Sequence, residues 1–263
     1  MRFLSSRPSF PAWAQCLLLL VLFITCIELW VPWFLQFFPP PGVLKTIVSD
    51  GQEREYYLFV PEELPASQAV PLLFMLQGFD APDAPSGATR SLYRQIADAA
   101  RLHRFIAVFP RGMTGSYPDV PGVRAWCPEH FHENRAFLVR LVSELRRSYP
   151  VDEGRIILAG FSNGAYFAST ELTVRTDTPF TGFWLDGGGY PYGFRPDVKR
   201  RPVFLTWGER DIYNASYTRE LEAFLVDHGW KRGETLLTVP HPWAHVFNNA
   251  AVGNAIAFLL GTR

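Results

Sequence analysis

Two kinds of apolar pattern divide the chain. Cys16 to Phe38 (CLLLLVLFITCIELWVPWFLQFF) is a nearly unbroken apolar run of 23 residues whose one charge is Glu28. As a helix it is long enough to span a hydrocarbon core of about 30 Å. Farther on, short apolar segments alternate with helical periodicity. Thr46–Ser49 and Glu53–Val60 flank Asp50-Gly51, a dipeptide suited to a tight hairpin turn. Val70–Leu76 and Phe105–Phe109 are continuous apolar runs, as strands covered on both faces require. Between them Leu92, Ile96, Ala99, Ala100 and Leu102 recur at helical spacing, and Phe137, Leu138, Leu141, Val142 and Leu145 do so again. Arg155–Ala159 reads as a strand and 163–173 as a helix. Strands Phe180–Leu185 and Val203–Trp207, a helix at Leu221–Leu225, a strand at Leu236–Val239 and a closing helix over Val246–Leu260 complete the series. Strands alternating with helices predict an α/β domain, a mainly parallel sheet with helices on both faces. The stretches 81–87 (APDAPSG) and 110–122 (PRGMTGSYPDVPG) read as loops at carboxyl ends of strands, where such sheets bind ligands.

Charge sharpens the division. Residues 1–38 carry only Arg2, Arg7 and Glu28, so the other 225 residues hold 23 basic and 24 acidic side chains. Without a basic excess to neutralise phosphates, nucleic acid is not an expected partner. Residues 1–42 are read as a signal anchor and Pro-rich linker, and 43–263 as one folded α/β domain. Arg2 and Arg7 on the N-terminal side of the apolar run predict a single-pass anchor with the domain outside the cytoplasm. A cleaved signal peptide and a buried core helix are the alternatives. Cys127 is the domain's one cysteine, so the domain has no internal disulfide and no Cys-based metal cluster.

Gly160-Phe161-Ser162-Asn163-Gly164 is a G-x-S-x-G pentapeptide. It follows the strand RIILA and opens the helix NGAYFASTEL, the strand–turn–helix setting in which such a serine is a nucleophile. A serine hydroxyl needs a base, and the base needs an orienting carboxylate. In this layout the order is Ser, acid, His. Asp211 follows the strand Val203–Trp207 and is the favoured acid, with Asp186 and Glu209 as rivals. Among the histidines, His103, His130 and His132 precede the serine and His228 ends a helix. His245 adjoins the closing helix and is the expected base, and His241 is read as a loop residue. Neither the His241/His245 pair nor His130 and His132 with Glu129 and Glu133 is read as a metal site. The backbone N–H groups of Asn163 and Phe79 are the expected oxyanion donors.

At these residues the domain resembles an α/β-hydrolase of the branch containing feruloyl esterases and polyhydroxybutyrate depolymerases. The resemblance spans about residues 46–262 and rests on REYYLFVP, PLLFMLQG, VFPRG, VDEGRIILAGFSNGA, LTWGERD and the late His245. It implies cleavage of carboxylic esters, small or polymer-linked, through an acyl-enzyme and without a cofactor. Gln77-Gly78 stands where that family has His-Gly. The aromatics Tyr117, Trp126, Tyr190 and Tyr192 suggest packing or stacking on an aromatic or sugar-linked substrate. A peptidase or thioesterase on the same three residues, or a silent binding protein, is the alternative function.

Overall fold

The computed structural model describes residues 39–62, 64, 68–117 and 120–261. The expected membrane anchor lies outside them. Among the described residues no helix is long and apolar enough to cross a membrane. Chain contacts divide the protein after Pro39, and the unit Pro40–Arg263 contains the whole sheet.

β1 (Val43–Ser49) and β2 (Gln52–Phe59) form the expected hairpin. Its turn places Asp50 and Gly51 at φ +50° and +74°, the left-handed pair that matches the twist of the flanking strands. β3 (Val70–Leu76), β4 (Ile106–Pro110), β7 (Val151–Phe161), β8 (Gly182–Asp186), β9 (Val203–Thr206) and β10 (Leu236–Thr238) extend the sheet in the order β1-β2-β4-β3-β7-β8-β9-β10. From β4 to β10 every pairing is parallel, and β2 joins β4 antiparallel.

Alternation along β3 shows why the apolar run is continuous. Leu72, Phe74 and Leu76 face one core with α2 (Phe131–Ser148), α3 (Asn163–Val174) and α4 (Ala215–Asp227). Leu73 and Met75 face the other with α1 (Gly87–His103) and α5 (Val252–Leu260). Both faces of the strand are thus removed from water, the arrangement that selects uninterrupted apolar residues.

Two expectations are corrected. The segment 110–122, expected as a loop, contains β5 (Met113–Tyr117) and leads through β6 (Val120–Ala125), which pair as a separate hairpin. A two-stranded ladder outside the main sheet tolerates the Pro121 and Gly122 that masked its pattern. Gly112 is where it crosses: a Cβ there would lie 2.4 Å from the Ala125 carbonyl oxygen. The closing helix begins at Val252, not Val246, after a 3₁₀ turn at Asn249–Ala251. Residues 246–248 are instead held in the loop, where Asn248 donates from its backbone to Asp186 Oδ2 (2.9 Å) and from its amide to Thr206 Oγ1 (3.0 Å).

Candidate active site

Ser162 sits between β7 and α3 with φ +53° and ψ −118°. A non-glycine residue there stores roughly 1–3 kcal/mol of backbone strain, and the surroundings hold it in place. Its N–H donates to the Asp186 carbonyl (2.9 Å), and its carbonyl accepts from Ala165 and Tyr166 as α3 begins. The flanking glycines are steric requirements. A Cβ on Gly160 would lie 2.3 Å from the Gly164 carbonyl, and one on Gly164 2.6 Å from the Leu76 carbonyl oxygen. Gly164→Ala should therefore lower unfolding stability by about 1–3 kcal/mol. Chemical denaturation measures this, and an unchanged midpoint would contradict the steric argument.

His245 meets the serine from the loop after β10. Its Nε2 lies 2.8 Å from Ser162 Oγ, and its Nδ1 lies 2.6 Å from Asp211 Oδ2. The Phe161 ring stacks on the imidazole at 5.0 Å between centroids. A carboxylate only accepts, so Nδ1 carries the proton and Nε2 is left to accept the serine O–H. The loops carrying acid and imidazole are zipped together by His241 N to Trp207 O, Glu209 N to His241 O and Arg210 N to Trp243 O, at 3.0, 2.8 and 3.1 Å. Gly208 permits that approach, because a Cβ would lie 2.1 Å from the Ala244 carbonyl oxygen.

The rival acids part on electrostatics as well as geometry. The Asp211 side chain is fully buried. Burial pushes its carboxyl up, but the Asn214 N–H, the His245 ring and the Tyr213 N–H together hold it below the ordinary aspartate value. Asp186 closes β8 inside the core. Burial raises its carboxyl well above the ordinary aspartate value, with the Asn248 N–H pulling the other way. Asp186 thus anchors the loop that carries His245. Glu209 is exposed.

Asn163 follows the serine as the first residue of α3, whose N-terminal N–H groups have no partner within the helix. Phe79 stands in the loop after β3 on the wall of a cavity of about 430 Å³ that also reaches Gly78, Ser162, His245, Leu92 and Phe247. A Cβ on Gly78 would come within 3.1 Å of Ser162 Cβ, so this loop presses directly on the serine. The structure therefore brings together all five residues expected from the sequence. A second cavity of about 260 Å³ adjoins Asn163 and is walled by Trp126, Phe131, Tyr166, Phe167 and Tyr192.

Several residues escaped the sequence reading. Arg111, almost fully buried, donates to the carbonyls of Ala81, Pro82 and Asp83 and to Glu55 Oε2. Asp80 pairs backbone to backbone with Arg124, and its Oδ1 accepts the Ser86 N–H. These bonds fix the loop that carries Phe79. Gln77 is fully buried beneath it, its Oε1 accepting from Trp126 Nε1 (3.2 Å) and, more weakly, from the Tyr93 hydroxyl (3.5 Å). The residue that departs from the family pattern is thus an internal strut. VFPRG was the only sequence signal for Arg111; the partners of Arg111 come from segments up to 56 residues away.

His130 ends a short 3₁₀ turn and His132 lies in α2. Among the described residues no three His, Cys, Asp or Glu side chains converge as metal ligands. Cys127 is buried, and burial with nearby Glu129 pushes its thiol up, away from the thiolate. His228 is packed against Phe224 and Phe194.

No protein-family model matches the chain. Among solved structures, a ferulic acid esterase superposes with a TM-score of 0.59 at 18% identity, covering 84% of this chain and 98% of that one. A carboxylesterase of Bacillus cereus does so with a TM-score of 0.59 at 16% identity, covering 79% and 94%. The fold is that of the α/β-hydrolases. The sheet has eight strands with one antiparallel hairpin at its edge, and the serine elbow follows the fifth strand of that sheet in chain order. In this α/β-hydrolase fold the elbow, the acid loop and the histidine loop all lie at carboxyl ends of parallel strands, the face where open sheets place their sites. A bifunctional acetylxylan esterase/xylanase of Neocallimastix patriciarum is 24% identical over 181 residues, or 68% of this chain. The chain spans about a quarter of that protein's length (24%).

Proposed function

We propose that the domain is a serine hydrolase that cleaves carboxylic esters through an acyl-enzyme. The observation that carries this reading is the continuous line from Ser162 Oγ through His245 to Asp211, at 2.8 and 2.6 Å, on a strained strand–helix turn. Ser162 Oγ attacks the ester carbonyl while His245 Nε2 takes its proton. The Asp211 carboxylate, ionised and desolvated, stabilises the imidazolium. Negative charge developing on the carbonyl oxygen is met by the backbone N–H groups of Asn163 and Phe79. His245 returns the proton to the leaving alcohol, then activates water to release the acid. Nucleophile, base and electrostatic stabilisation all come from the chain, so no cofactor or metal is assigned a step.

The larger cavity opens on Ser162 and His245, and the smaller one adjoins Asn163, the residue after the serine. Their aromatic walls, with the acetylxylan esterase relative and the ferulic acid esterase neighbour, favour acetyl or feruloyl esters, including polymer-linked ones. Purified domain should hydrolyse short p-nitrophenyl esters without added metal, and chelator should leave the rate unchanged. Inertness toward every activated ester, with turnover of peptides, would replace this reading by a peptidase.

The apolar run and the Arg2/Arg7 bias support a retained anchor with the domain on the extracytoplasmic side. Protease added to spheroplasts of an expressing host should digest the domain. A protected domain would refute the orientation, and a mature N-terminus beyond residue 38 would refute the anchor.

A further inference from the structure

One side chain lies against both polar partners of the acid–base pair. Asn214 Nδ2 is 3.3 Å from Asp211 Oδ2 and 3.1 Å from His245 Nδ1. Because Nδ1 carries a proton committed to Asp211, it offers no lone pair, and the amide N–H is directed to the carboxylate. On its far side Asn214 Oδ1 accepts the Tyr166 hydroxyl at 2.9 Å. The carboxylate, which only accepts, takes the amide nitrogen, so the amide oxygen faces Tyr166 and accepts its hydroxyl proton. Tyr166 is itself tied to the elbow, since its backbone N–H donates to the Ser162 carbonyl (3.2 Å), and it lines the smaller cavity. Asn214 precedes α4, but its side chain makes no capping bond there, so N-capping of the helix does not explain it.

We infer that Asn214 is a positioning residue for the Asp211–His245 pair, and that Tyr166 holds its amide in the working orientation. The kinetic consequence rests on the esterase reading above. With Asn214 in place each carboxylate oxygen has two donors: the Tyr213 and Asn214 N–H groups on Oδ1, and His245 Nδ1 and Asn214 Nδ2 on Oδ2. Donors on both oxygens fix the plane of the carboxylate, and that plane sets the direction of the imidazole toward Ser162. The chain Tyr166–Asn214–Asp211 also links a cavity wall to the acid.

The test compares Asn214→Ala, Tyr166→Phe and the double variant, each shown to melt with the wild type. For a short p-nitrophenyl ester, kcat should fall about tenfold in Asn214→Ala, the scale of one hydrogen bond to a charged group. It should fall less in Tyr166→Phe, with KM unchanged in both because the cavity-lining ring is kept. The double variant should be no slower than Asn214→Ala, since the hydroxyl acts through the amide. Without substrate, the His245 Nδ1–H proton resonance should move downfield in Asn214→Ala and less so in Tyr166→Phe, because Oδ2 has lost a competing donor. An unmoved resonance with wild-type kcat in folded Asn214→Ala, or losses that add in the double variant, overturns the inference. If Asn214→Ala folds poorly, Tyr166→Phe carries the same comparison alone. If the wild type turns over no ester while the resonance moves in both variants, the positioning role stands and the esterase reading falls.

Discussion

A folded Ser162→Ala protein will lose ester hydrolysis by about 10⁴-fold or more in kcat, and His245→Ala will lose nearly as much. The reason is that the two residues act as one unit. The hydroxyl is a weak nucleophile at neutral pH until Nε2, 2.8 Å away, takes its proton. Removing either partner leaves no activated oxygen, so the double variant should be little worse than either single one. A fluorophosphonate probe should label wild-type Ser162 and fail to label both variants. Activity need not vanish, because oxyanion donors and binding alone supply roughly 10³–10⁴-fold over water in comparable sites. Each variant must keep the wild-type melting temperature, since Ser162 forms the turn into α3 and unfolding would imitate a catalytic loss. Full esterase activity in folded Ser162→Ala would end the serine-hydrolase reading.

Asp211→Asn should lower kcat by about 10⁴-fold with folding intact, whereas Asp186→Asn should leave turnover nearly unchanged. Asparagine keeps an oxygen for the Tyr213 and Asn214 N–H groups. Its NH₂, placed at 2.6 Å from Nδ1, would donate into the imidazole and drive the proton to Nε2, the wrong tautomer to accept from serine. At position 186 burial already disfavours the charged form, and asparagine keeps an acceptor for the Asn248 N–H. A crippling Asp186→Asn with a mild Asp211→Asn would reverse the assignment. Thermal stability gives an independent readout. The folded Asp211 carboxyl is held below its unfolded value, so its contribution is present above about pH 3.9 and is lost as pH falls through the lower, folded value. Asp211→Asn should therefore remove part of the melting-temperature loss on acidification.

Local information carried much of this. Runs buried on both faces need only apolar residues, so β3 and β4 were visible as unbroken stretches; the Asp50-Gly51 turn was visible because few residues accept φ above zero. The elbow was visible because its steric demands fall within five consecutive residues. Chain order supplied His245, and it favoured Asp211 among three carboxylates. Electrostatics that depend on burial then separated them, since no feature of the residues 186 or 211 foretells that one carboxyl is enclosed without a charged partner and the other is met by four donors.

Long-range pairings were invisible for the same reason. The β5–β6 hairpin mixes Gly, Pro and polar residues with its apolar ones, and Arg124 ties it to the Pro82 carbonyl and to Glu55. The loop at 246–248 reads as helix from its apolar residues, yet Asn248 is claimed by Asp186, 62 positions earlier. Tyr166 reads as an ordinary helix residue and Asn214 as part of a connection until folding brings their segments together across 48 positions. Period and turn chemistry are written between neighbours, so the sequence specifies strands, helices and the serine's turn. Which carboxylate meets the imidazole, which amide orients it and which guanidinium clamps the loop depend on desolvation and on bonds between distant segments, and those exist only once the sheet has closed around them.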